Sequence, residues 1–162
     1  MKMQTEVEKQ SQIIDELVTI EVNKVASELD TYIHYVKTIL DQYETQPISD
    51  RELEDVTLSV ATLLYFVSAE LERVGIREDI ADSVKQNKYD DIFNRIEGTV
   101  AAKTSQARSE TQQEQIVEAI YSRAYKIIKS KIANAERIND SCRKVLTGRI
   151  QQMVLSMKDG RK

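Results

Sequence analysis

The 162-residue chain has one cysteine, one proline, four glycines and no tryptophan. A single thiol, Cys142, excludes an intramolecular disulfide and a multi-cysteine zinc site, and it points to a reduced, cytoplasmic setting. The shortage of glycine and proline excludes an all-β fold, which needs turn residues every few positions. The first residues, "MKMQTEVEKQ", hold no apolar signal core, and no run approaches the roughly 18 apolar residues that span a bilayer. A soluble protein without membrane contact is expected. No glycine-rich loop is present, so the P-loop and the dinucleotide fingerprint are both missing. The one histidine, His34, has no nucleophile or acid placed beside it by motif, and triad chemistry lacks its usual base. Glu78, Asp79 and Asp82 have the spacing of helical carboxylate ligands, but no matching first half accompanies them. They read as a solvated face. The expectation is a non-enzyme without metal or cofactor.

What is present is charge and helical periodicity. Hydrophobic residues make up 41% and charged residues 31%, a balance typical of long amphipathic helices. The fold expected is all-α, an elongated helical bundle with long N-terminal and C-terminal helices. Apolar residues recur at Val18, Val22, Val25, Leu29, Tyr32, Val36, Ile39 and Tyr43 in alternating steps of four and three. That is a heptad seam on a helix running from about Thr5 to Tyr43. It suits either packing within the chain or a seam between copies in a homo-oligomer.

After Pro47, "SDRE" offers Ser49 as an N-cap with Glu52 three residues on, the capping-box arrangement. The helix it opens is expected to end near Val74, with Gly75 as its stop. Its middle, "VATLLYFV", is apolar on nearly all faces and calls for burial by several neighbours. "EGT" (residues 97–99) is a second boundary, with glycine ending one element and threonine capping the next. The polar stretch 99–114 reads as a weak helix or a connector. A last helix begins between Thr111 and Gln115 and runs past Met157. The division expected, within one domain overall, is an acidic body over 1–98, a connector over 99–114 and a basic helix over 115–162.

The charge is unevenly placed. Residues 1–98 carry 21 acids and 10 bases, or −11; residues 99–162 carry 6 acids and 13 bases, or +7, which together give the net −4. On the last helix, Val117, Tyr121, Ala124, Ile128, Ile132, Ala135, Cys142, Leu146, Ile150, Met153 and Met157 gather on one side. Arg123, Lys126, Arg137 and Lys144 lie opposite, with Lys129, Lys131, Arg143 and Arg149 flanking. Bases along a helix can neutralise successive phosphates of single-stranded nucleic acid, and nothing in the pattern offers base-edge readout. The same bases can instead pair with an acidic protein partner or with the chain's own acidic front.

Two stretches, "YDDIFNRIEGTVAAKTSQA" (89–107) and "YSRAYKIIKSKIANAERINDSCRKVLTGRI" (121–150), resemble small helical bacteriophage proteins of the recombination-mediator type. The shared order is a helix ending in Glu-Gly-Thr, a small polar segment, and a long terminal helix closing on an Arg-Lys-x-Leu-Thr run. The resemblance implies an oligomer that holds single-stranded DNA during recombination or replication. It also implies a DNA face containing Lys103, Arg108, Arg123, Lys126 and Lys129, with Arg143, Lys144 and Arg149 toward the far end. A structural or assembly role, through helix–helix contacts alone, is the alternative.

Overall fold

The computed structural model describes residues 2–42 and 47–159, with side chains from residue 8 to residue 157 of these. It is all-α. Four helices form among the described residues: α1 (Lys2–Gln42), α2 (Asp50–Arg95), α3 (Val100–Glu110) and α4 (Gln112–Asp159). The helices divide between two compact units. One holds residues 1–25 and 70–129, the other residues 26–69 and 130–162. Each unit draws on both the acidic front and the basic end of the chain.

Local signals explain most of the helix ends. Before α2, the Glu52 amide donates to Ser49 Oγ at 3.2 Å and Glu52 Oε2 accepts from the Ser49 amide at 2.8 Å. The reciprocal pair satisfies two amides that the first turn leaves free. At the other end of α2, Gly98 adopts φ +132, a conformation open to glycine, and Thr99 Oγ1 then caps α3 by accepting from the Ala102 amide. Residues 99–114 therefore contain a capped helix. Between α3 and α4, Thr111 is fully buried and its hydroxyl donates to the Ala107 carbonyl at 2.8 Å.

Gly75 does not stop α2; the helix continues through it for twenty more residues. The cause is packing. A Cβ at Gly75 would stand 3.3 Å from the Tyr125 ring, so glycine here allows α4 to approach α2 closely. With helical partners on hand, the glycine's weak helix propensity is overridden by tertiary packing.

The core of the first unit is built from Val18, Val22, Leu71, Val74, Ala81, Ile92, Ala107, Ile120, Ala124 and Ile128. That of the second is built from Ala26, Leu29, Val36, Leu53, Val56, Val60, Val67, Ile132, Ala135 and Cys142. Small alanines at Ala26, Ala124 and Ala135 allow close helix approach, and the β-branched valines fill the seams. Of the heptad positions, Val18, Val22, Leu29 and Val36 are buried within the chain itself; Val25, Tyr32 and Ile39 are half-buried. Tyr43 lies outside the described residues.

Two expectations about burial are corrected. The "VATLLYFV" stretch is not covered on all sides: Val60 and Val67 are buried, while Tyr65 is 75% and Phe66 61% exposed. The apolar side of α4 is covered only as far as its partners reach. Ile150, Met153 and Met157 are exposed toward its end, and Val117 is exposed near its start. Arg149 Nη1 meets the Ile48 carbonyl and Asp50, marking the start of α2, and the residues beyond it run past that cover.

Candidate nucleic-acid interface

Helix α4 presents its bases because its other side is committed to the core. At 100° per residue, Arg137 and Lys144 of the second unit fall within about 20° of each other, and Lys126 belongs to the first unit. Ala124, Ile128, Ala135 and Cys142 occupy the opposite side and are buried. All three bases are exposed, as is Arg143 beside them. None of these four makes an ion pair among the described residues.

The remaining predicted site residues divide by partner. In the first unit, Arg123 is exposed and lies 3.5 Å from Asp15 of α1. Lys129 Nζ stands 5.8 Å from the Tyr125 ring centroid, and the half-buried Lys103 stands 5.6 Å from that of Phe93. Each ring faces a cation at a separation where its quadrupole attracts it. Arg108, on α3, is exposed. In the second unit, Arg149 is half-buried and committed, 2.7 Å from Asp50 and 2.7 Å from the Ile48 carbonyl. It fastens α4 to the start of α2. Lys131 is similarly held, with Nζ 2.7 Å from both carboxylate oxygens of Asp30.

The acidic front therefore neutralises part of the basic helix, at Arg123, Lys131 and Arg149, and leaves Lys126, Arg137, Arg143 and Lys144 open to solvent. Arg108, on α3 of the first unit, is exposed as well. Acids in the first unit are partly occupied from α2 as well. Lys88 Nζ lies 2.6 Å from Glu114, and that hydrogen bond holds the Glu114 carboxyl below the usual carboxylate range. Lys85 pairs with Asp82 at 2.6 Å, which raises the lysine's pKa.

The other candidate groups have quiet surroundings. Cys142 is buried and its thiol is pushed up by desolvation, which disfavours the reactive thiolate. His34 is exposed, with Nδ1 2.8 Å from its own-helix carbonyl of Asp30. Among the described residues no group of three or more His, Cys, Asp or Glu side chains is arranged to hold a metal ion. No described helix is long and apolar enough to cross a membrane.

Two features escaped the sequence reading. One is a groove of about 390 Å³ in the first unit, lined by Ile80, Val84, Val117 and Tyr121 and bordered by Glu114, whose Oε2 is buried without a hydrogen-bond partner. No local pattern announces it, since it depends on how α2 and α4 pack. The other is the exposed, uncharged side of α2 in the second unit. Its signal was in plain sight, because no charged residue occurs from Val56 to Ala69. Comparison with models of protein families, with curated proteins and with solved structures finds no match.

Proposed function

We propose that this protein is a non-enzymatic accessory in DNA recombination or replication, of the bacteriophage mediator type, that binds single-stranded nucleic acid through α4. The observation that carries the reading is the exposed bases of α4, Arg137, Arg143 and Lys144 in the second unit and Lys126 in the first, free of ion pairs among the described residues and each on a helix segment whose other side is buried in its own unit. The mechanism is electrostatic. Each base that meets a phosphate releases condensed counterions, and binding follows the number of such contacts rather than the base sequence. A few contacts per chain give weak affinity. Assembly of several chains on one strand would multiply them by raising the effective concentration of the second and later sites.

The rival reading is an assembly protein whose helices contact only protein. Its support is the neutralisation of Arg123, Lys131 and Arg149 by Asp15, Asp30 and Asp50. A gel-shift series separates the two. Wild-type protein should shift a single-stranded oligonucleotide at low salt, and the K126E/R137E/K144E variant should not. If both fail to bind while the variant alters the mass in solution, the assembly reading stands and the nucleic-acid reading falls.

A further inference from the structure

The second unit carries an apolar face that its own chain leaves bare. On α2, Leu58 is 68%, Tyr65 75% and Phe66 61% exposed. The rings of Tyr65 and Phe66 meet edge to face at 5.4 Å. Phe66 lies one turn on from Leu63, and Leu63 lines a groove of about 360 Å³ with Tyr32 and Tyr35 of α1. Tyr35 is itself 56% exposed. At about 150–250 Å² per aromatic side chain, the bare parts of Leu58, Tyr65 and Phe66 come to roughly 400 Å². Monomeric proteins seldom leave a larger contiguous apolar patch in water. That apolar patch is about half of the ~800 Å² per partner of a standard interface, the share an apolar centre takes within a polar rim.

Charge selects among the occupants. From Val56 to Ala69 there is no charged residue, so two copies of this face meet without like-charge repulsion. Its surroundings are acidic: residues 26–42 and 50–69 carry seven acids and two bases, or −5. Nucleic acid is therefore repelled from these exposed rings, whatever their capacity to stack. Size selects the arrangement. Leu58, Thr62, Tyr65 and Ala69 recur in steps of four, three and four, the spacing of a helix–helix seam. Two antiparallel copies can place Leu58 opposite Ala69 and Thr62 opposite Tyr65, a large residue against a small one at each level, with Phe66 on the flank. A parallel pair would instead stack Tyr65 on Tyr65. It would also bring the acidic first two turns of α2, with Asp50, Glu52, Glu54 and Asp55, side by side; the antiparallel pair holds them apart.

We infer that this α2 face is a self-association surface, on which a second copy of the chain docks in an antiparallel, two-fold arrangement. The seam between copies is then on α2, and the α1 heptads serve the chain's own core. This inference does not require the nucleic-acid reading and can fail without it.

Sedimentation of the full chain, without nucleic acid, tests it. The expected mass is twice 18.6 kDa, persisting at high salt because the contact is apolar. The surface variant Y65E/F66E should sediment at 18.6 kDa while keeping its helical circular dichroism, since both side chains are exposed in the single chain. K126E/R137E/K144E should keep the doubled mass. A wild-type mass of 18.6 kDa at all concentrations overturns the proposal, as does a doubled mass that survives Y65E/F66E. A milder variant, Leu58→Ser, guards against misfolding: it should weaken the dimer, with an unchanged melting profile at concentrations where both chains are monomeric, and no weakening counts against this face. Dimer formation only after another protein is added would assign the face to that protein.

Discussion

Within the second unit, α2 and α4 each turn one side to the core and one side to solvent, and their solvent sides are chemically opposite. The α2 side has no charge over fourteen positions and shows Leu58, Tyr65 and Phe66. The α4 side shows Arg137, Arg143 and Lys144. Their buried sides, by contrast, are alike: Val56, Val60 and Val67 on one helix, Ile132, Ala135 and Cys142 on the other. Packing in the core thus uses the same kind of residue on both helices, and the difference between them lies in what each offers outward. One exposed side favours apolar burial and the other an anion.

The contrast can be broken most severely from within. Leu29→Ala, at a fully buried position that supports the second unit, should cost about 2–5 kcal/mol in denaturant unfolding. Leu58→Ala, under conditions that keep the chain monomeric, should change stability by no more than about 0.5 kcal/mol. A large loss from Leu58→Ala in the monomer would mean that the α2 side is covered after all. Next in size is the charge reversal K126E/R137E/K144E, which should lower single-strand affinity by about 100-fold at low salt. Y65E/F66E puts new acids on the α2 side and should leave the affinity of each chain nearly unchanged.

The sequence disclosed the all-α class, the capping box at Ser49 and Glu52, and the break at Gly98 and Thr99, because these follow from local geometry and short-range hydrogen bonds. It also disclosed the two sides of α4, because a 3.6-residue period separates Ala124, Ile128 and Ala135 from Lys126, Arg137 and Lys144 without reference to any other helix. Gly75 was misread because its role depends on Tyr125, fifty residues away. Arg149 and Lys131 could not be separated from Arg143 and Lys144 for the same reason: only packing brings Asp50 and Asp30 to the first two. The run around Tyr65 was read as buried since hydrophobicity reports a preference for burial but not whether the chain itself can supply the cover.

Smaller effects sharpen the picture. Gly148→Ala should stabilise the chain by about 0.5–1 kcal/mol, because a Cβ there meets nothing within 4 Å and the helix gains propensity. Gly75→Ala should gain less or lose, because the Tyr125 ring must move; thermal melts of the two variants compare them directly. Asp30→Asn removes the partner of Lys131 at a site about one-third exposed and should cost no more than about 1 kcal/mol, a cost that shrinks with added salt. The smallest effect is on pH dependence. The hydrogen bonds from Ser49 hold the Glu52 carboxyl below its ordinary range. The contribution of this cap is thus complete above the ordinary carboxylate range, and it fades as pH falls through the lowered value. Glu52→Gln should flatten that part of the acid-stability curve measured by circular dichroism.

The availability of α4 to a polyanion is tested most directly by the salt dependence of single-strand affinity. For wild-type protein, the logarithm of the binding constant should fall linearly with the logarithm of salt concentration. A slope near −0.7 per phosphate gives about −2 to −3 for three or four contacts per chain, and the slope should nearly vanish in K126E/R137E/K144E. Wild-type protein that fails to bind at low salt, or binds with no salt dependence, would contradict the account.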